Sequence, residues 1–284
     1  MNNGAMKTAI ITGGNSGIGY ETARELVRRG WRVIITGRDE ARLRAAAEAI
    51  GGTAAVRVAD FASFADVRAL GAALNQEPRI DVLVNSVGVA LSRQQQSRDG
   101  NDMMLQVNHL SAFLLTSLLL DKLKASASAR IVNVSSRMHR NARAFGFDDF
   151  QFVRSYGVAK AYARTKLYNV LFTRELARRL AGCGVTANAL HPGMIQTEIG
   201  KNGDLRGIAG LVWPLLQRWN GRPIEEASRM PVQLVTAPEL EGVTGKYFTT
   251  GRAAEPSRLA LDDAAARKLW EMSERLVALT PSSS

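Results

Sequence analysis

The opening of the chain restricts the fold more than any other stretch. Lys7 to Thr12 is a short apolar run, Gly13-Gly14-Asn15-Ser16-Gly17-Ile18-Gly19 follows as a glycine-rich turn, and Tyr20 to Arg29 carries Ala23, Leu26 and Val27 at helical spacing. Gly30 closes that helix and Trp31 to Thr36 is apolar again. A strand, a helix and a second strand in so short a span form the unit that builds a parallel sheet through a right-handed crossover.

The alternation continues. Ala54 to Val58, Asp81 to Asn85, Arg130 to Val134, Val185 to Leu190 and Lys246 to Phe248 read as strands, with helical stretches near 39–50, 63–76, 101–125, 155–181, 224–237 and 259–279. This predicts an α/β fold, a single-domain Rossmann-like doubly wound parallel sheet of about seven strands with helices on both faces. The domain spans residues 1–284, without internal repeats. One segment breaks the rhythm: between Ile199 and Arg222 the run Gly207 to Trp219 is apolar and aromatic, and reads as a substrate-lid insertion over about 199–222. A membrane-surface or partner-binding helix, or ordinary core, would give the same composition.

Composition removes several classes. The 37 Lys and Arg against 26 Asp and Glu give a net charge of +11, but the basic residues are scattered, the longest runs being pairs such as Arg28-Arg29 and Arg178-Arg179. No basic stripe with interleaved aromatics marks a nucleic-acid surface, and the excess suits solvated helix faces and an anionic small molecule. Cys183 stands alone, so neither an internal disulfide nor a Cys-rich zinc site is available, and no metal is expected. The longest apolar stretch, Leu110 to Leu120, is interrupted by Ser111, Thr116 and Ser117 and falls short of the roughly 20 residues that cross a bilayer. The reading is therefore a cytoplasmic protein with no transmembrane segment, peripheral membrane contact staying open.

The turn Thr12-Gly13-x-x-x-Gly17-x-Gly19 opens the first crossover unit. Glycines there let the backbone approach a phosphate, and the following helix presents free N–H groups and the positive end of its dipole. This is the setting of a dinucleotide site. At the end of the second strand, where a carboxylate would bind ribose hydroxyls, stand Thr36 and Gly37, followed by Arg38. Arg38 can hold a 2′-phosphate, which favours NADP(H) over NAD(H).

Ser135 and Ser136 end the fifth strand, and Tyr162 stands four residues before Lys166 on a helical stretch, one turn away on the same face. An ammonium beside a phenol favours the phenolate, so a Tyr162 pKa below its usual value is expected. Tyr156 and Lys160 have the same spacing, six residues earlier and about 240° round the helix. Both pairs cannot face one cleft.

These motifs together with Asp60, Asn85 to Gly88, Asn108 and His191-Pro192-Gly193 resemble the short-chain dehydrogenase/reductases over about residues 6–250. Val107-Asn108-His109-Leu110, the Val132 to His139 stretch, Leu171 to Leu180 and Gly245 to Phe248 are similar to the retinol dehydrogenase and WW-domain oxidoreductase branch. No WW domain is present. In that family the lysine stands about 26 residues before the Pro of the Pro-Gly turn, as Lys166 does before Pro192, which selects Tyr162 and Lys166. The resemblance makes Ser136 the catalytic serine and gives Asn108 a proton-relay and helix-bending role. It assigns cofactor contacts to Gly13, Asn15, Ser16, Gly17, Ile18, Gly19, Arg38, Asp60, Phe61, Asn85, Gly88, Tyr162, Lys166, Pro192, Ile195 and Thr197. Asp60 would take the adenine edge, Asn85 the floor at the strand end, and Thr197 the carboxamide. Read without the resemblance, Asp60 is a turn residue, Asn108 a satisfied core amide and Thr197 a helix start. His139 and His191 are read as structural. The usual Asn-Asn-Ala-Gly is Asn85-Ser86-Val87-Gly88 here, a departure beside the cofactor.

The implied function is an NADP(H)-dependent oxidoreductase interconverting an alcohol and a carbonyl on a bulky lipophilic substrate, in a homo-dimer or tetramer. Within enzymes, a secondary-metabolite ketoreductase and a retinal-type reductase both fit. A non-catalytic dinucleotide sensor or scaffold is the alternative of a different class.

Overall fold

In a computed structural model, which describes residues 6–126, 128–193 and 224–278, the strands and helices alternate as the sequence pattern requires. In order they are β1 (Thr8–Thr12), α1 (Gly17–Arg28), β2 (Arg32–Gly37), α2 (Glu40–Ile50), β3 (Ala54–Val58), α3 (Phe64–Asn75), β4 (Val82–Asn85), α4 (Met103–Leu105), a π turn (Gln106–Leu110), α5 (Ser111–Lys124), β5 (Arg130–Val134), α6 (Val158–Arg179), β6 (Thr186–His191), α7 (Ile224–Thr236), β7 (Tyr247–Thr249), β8 (Arg252–Ala254) and α8 (Asp263–Leu276). They form one sheet in the order β3-β2-β1-β4-β5-β6-β7-β8, parallel except for the last pair.

The central strands are apolar on both faces because both faces are covered. Every residue of β1 and β4 is buried. Ile10, Ile34, Leu83 and Ile131 pack on one side with α3, α5, α6 and α8, while Ile11, Val33, Val84 and Val132 pack on the other with α1, α2 and α7. The strand order reverses between β1 and β4. The loops leaving their carboxyl ends therefore diverge and open a crevice, the place where doubly wound sheets bind ligands.

Three expectations are corrected. The sheet has eight strands: β8 follows β7 through the two-residue turn Thr250-Gly251, both at positive φ, and Arg252-Ala253-Ala254 has no apolar pattern to announce it. The first helix starts at Gly17, three residues before the apolar periodicity. Apolar helix continues beyond Leu110–Leu120: Met103–Lys124 runs 22 residues, the one helix among the described residues long and apolar enough to cross a membrane. Most of it is buried in the fold, with Phe113, Leu114, Leu115, Leu119 and Leu123 in the core. The segment 199–222, Ile195 and Thr197 lie outside the described residues.

Candidate active site

The glycine turn between β1 and α1 is held against β2. Gly13 N–H donates to the Thr36 carbonyl at 2.8 Å, and Gly13 takes φ +70°, a left-handed conformation that suits glycine. A Cβ on Gly14 would lie 2.5 Å from the Ile35 side chain, and one on Gly19 2.4 Å from the Gly13 carbonyl. Ser16 is the N-cap of α1 but its side chain makes no capping bond. The first N–H groups of α1 are thus left for an anion, in a cradle that side chains would fill. Asn15 lies against the end of β2, where a Cβ on Gly37 would meet its Oδ1 at 2.9 Å. Ile18 is partly buried against the core, and its carbonyl accepts from Thr22.

Arg38 is exposed just past β2. The carboxylate next to it is otherwise engaged: Asp39 caps α2, accepting from Arg42 N at 3.0 Å. Asp60 Oδ1 accepts from Ala62 N at 3.0 Å and its Oδ2 lies 3.5 Å from Arg98, so the carboxylate shapes the turn after β3. Phe61 is 4% exposed with its side chain in the core, which leaves only its backbone for a ligand.

A threonine that sequence reasoning left without a role organises the next loop. Thr12 Oγ1 accepts from the backbone N–H of Ser86 (2.9 Å) and Val87 (3.2 Å), pinning the departure Asn85-Ser86-Val87-Gly88 to the end of β1. Asn85 is buried and donates through Nδ2 to Thr116 Oγ1 (3.0 Å) and Asn133 Oδ1 (2.8 Å). Its amide hydrogens knit β4 to α5 and β5.

Asn108 lies in the π turn, so the helix does change its winding there. Its Oδ1 accepts from Val89 N at 2.7 Å, while Nδ2 donates to the Val89 carbonyl at 2.9 Å and to Thr165 Oγ1 at 3.1 Å. This clamps the loop after β4 against α6. Gly88 lies between: a Cβ there would stand 3.3 Å from Lys166 Nζ and 3.5 Å from Asn108 Oδ1.

Ser135 Oγ donates to the Lys166 carbonyl at 2.8 Å and fastens α6 to the end of β5. Lys166, 4% exposed, donates from Nζ to the Val134 carbonyl at 3.2 Å and stands 5.5 Å from the centre of the Tyr162 ring. The Ser136 hydroxyl faces the Tyr162 phenol and pulls its pKa downward. Ser136, Tyr162, Lys166 and Asn108 therefore converge at the carboxyl ends of β4 and β5. Tyr156 does not join them: α6 begins only at Val158, and Tyr156 donates its hydroxyl to the Leu91 carbonyl at 2.6 Å. Lys160 is exposed and bonds Ser155 Oγ.

Burial corrects one expectation about charge. It pushes the Tyr162 phenol up to about 12, against the opposing pull of the Ser136 hydroxyl, and pushes Lys166 down to about 8. In the free protein desolvation outweighs the help the ammonium gives the phenolate.

The sequence profile described as short chain dehydrogenase matches residues 7–205. The chain belongs to the short-chain dehydrogenase family. It is an oxidoreductase family that acts on alcohols and carbonyls and binds a nicotinamide dinucleotide, in accord with the cradle at α1. Among curated relatives, human retinol dehydrogenase 14 is 44% identical over 296 aligned residues, covering 96% of this chain and 87% of the relative. Among solved structures, a Mycobacterium paratuberculosis protein is 31% identical with a TM-score of 0.77, covering 96% of this chain and 94% of its own. The 3-ketoacyl-(acyl-carrier-protein) reductase of Brucella melitensis, complexed with NADH, is 25% identical with a TM-score of 0.68, covering 86% and 97%. Pro192 follows β6, the strand next to β5, and stands in this short-chain dehydrogenase at the same end of the sheet as Ser136.

Proposed function

We propose that this protein is an NADP(H)-dependent oxidoreductase that interconverts an alcohol and a carbonyl on a bulky lipophilic substrate, with Tyr162 as general acid in reduction and general base in oxidation. The observation that carries the reading is the convergence of Tyr162, Ser136 and Lys166 beside the crevice between β1 and β4. When bound, the nicotinamide supplies or accepts the hydride. The residues of this chain do the rest. The α1 N–H groups hold the pyrophosphate, Arg38 takes the 2′-phosphate, and Lys166 reaches the nicotinamide ribose. Ser136 Oγ holds the reacting oxygen while Tyr162 gives it a proton or takes one. Asn108, fixed on Val89, supports a water that refills the proton.

The resemblance to retinol dehydrogenase 14 makes retinal the first aldehyde to try. The assay follows oxidation of NADPH and of NADH with retinal and a panel of bulky aromatic ketones. Turnover with NADPH that Tyr162→Phe abolishes supports the reading. Arg38→Ala should raise the KM for NADPH about tenfold and leave that for NADH nearly unchanged. Bound NADPH without turnover of any panel member would favour the sensor reading.

A further inference from the structure

We infer that His139 is a positioning residue for Ser136, holding it through one imidazole tautomer and tying it to the segment that follows β8. The inference rests on the role given to Ser136 above. His139 is fully buried. Its Nδ1 lies 2.7 Å from the Ser136 carbonyl oxygen and its Nε2 3.0 Å from the Ser257 backbone nitrogen. A carbonyl only accepts and a backbone N–H only donates, so the ring presents Nδ1–H to Ser136 and a bare Nε2 to Ser257. The neighbours leave room for no other protonation state. Burial and the nearby Arg140 cation hold the imidazole below its ordinary pKa, which keeps it neutral. The ring also packs edge-on against Tyr247 of β7, centroids 4.8 Å apart.

Ser136 needs this support because it stands one residue beyond the last main-chain bond that ties it to the sheet, Ser135 N–H to the Leu190 carbonyl at 2.7 Å. Its carbonyl receives the His139 backbone N–H at 3.1 Å as well as Nδ1–H, and its Oγ accepts from Met138 N at 3.2 Å. Held in this way, the Ser136 hydroxyl keeps its own hydrogen free to donate and stands on the side of the Tyr162 phenol, whose pKa it lowers. A second tie runs in parallel, from the Arg140 guanidinium to the Glu255 carbonyl. Ser257 and Glu255 lie beyond the family match, which ends at 205. A part of the chain beyond that profile match thus helps to place the catalytic hydroxyl.

The test separates the two bonds of the ring by isosteric amides. In His139→Asn the amide nitrogen falls where Nδ1 was and still donates to Ser136; in His139→Gln the amide oxygen falls where Nε2 was and still accepts from Ser257. Both variants lose the ring packing, so melting temperatures should fall alike. The assay uses NADPH with the panel member that wild type reduces fastest. His139→Gln should lower kcat about tenfold or more, with the KM for NADPH within about twofold, and His139→Asn should stay within about threefold of wild type. Imidazole 15N NMR, with His139 assigned by its loss in either variant, should show Nδ1 protonated and Nε2 bare. Equal losses of kcat in the two variants, or a protonated Nε2, would overturn the inference. Ser136→Ala runs alongside. If it abolishes turnover while the two amides behave alike, only the inference about His139 fails; if it leaves turnover intact, the reading of the site fails first and His139 has nothing to position.

Discussion

The two ends of one stretch of chain, residues 156–160 and 162–166, carry the same Tyr-x-x-x-Lys spacing and have opposite fates. Tyr156 precedes α6 and its hydroxyl is tied to the Leu91 carbonyl, while Lys160 lies in solvent beside Ser155. Tyr162 and Lys166 are one turn apart within the helix, packed against the end of β5 by the Ser135 bond to the Lys166 carbonyl. Spacing puts two side chains on one face only where the helix has already begun. Which face meets the crevice is then decided by what the helix packs against.

The largest effect expected from this contrast is kinetic. Tyr162→Phe should lower kcat about 10³-fold, whereas Tyr156→Phe should stay within about threefold, by steady-state NADPH oxidation. Loss of turnover in Tyr156→Phe alone would break the comparison outright.

The next is a pH profile. Burial holds Lys166 near 8, so the ammonium dominates below that pH and the neutral amine above it. If the ammonium assists Tyr162, kcat/KM for reduction is level below about pH 8 and falls about tenfold per unit above it. Lys166→Arg should be slower but lose this limb, since guanidinium stays charged. Lys160→Arg should keep it.

The same burial has a stability signature. The folded pKa of Lys166 lies below its unfolded value, so folding bears the full cost of the buried ammonium below about pH 8 and sheds it as pH rises toward about 10.5. Lys166→Met should therefore be more stable than wild type by urea unfolding at pH 7, and that advantage should shrink by pH 10. A gap that does not change with pH would mean that Lys166 is not the group responsible.

The smaller effects belong to the outer pair. Tyr156→Phe leaves the Leu91 carbonyl without its donor and should cost about 1–2 kcal/mol in the same unfolding experiment. Lys160→Ala should stay within about 0.5 kcal/mol, being an exposed side chain. A Tyr156 effect no larger than that of Lys160 would show that the Leu91 bond contributes nothing.

Legibility in the sequence followed how local each feature is. The strand, glycine turn and helix at the start are encoded within 30 residues, and the structure keeps them, moving the helix start to Gly17 and the strand start and helix end by one residue. Glycine at a helix N-terminus carries no periodic signal, so the apolar pattern begins late. The strand β8 was invisible because it owes its place to the Thr250-Gly251 turn and to pairing with β7, not to its own side chains. Asn85 and Phe61 were legible as members of a pattern, but the direction of their side chains was not: one bonds to Thr116 and Asn133, the other enters the core. His139 could be seen only as a buried-type residue near the serine pair, since its partner Ser257 is 118 residues away.

The sequence by itself determined the doubly wound α/β class and the cradle at α1, because hydrophobic period and glycine placement act over a few neighbouring residues; the quartet Ser136, Tyr162, Lys166 and Asn108 came from the resemblance of its ordered motifs to the family, while spacing alone left two tyrosines open. The tertiary structure decided which tyrosine faces the crevice, the protonation preferences of Tyr162 and Lys166, and the tautomer of His139. Each of these depends on desolvation and on donors and acceptors brought from distant strands, and no local pattern records them.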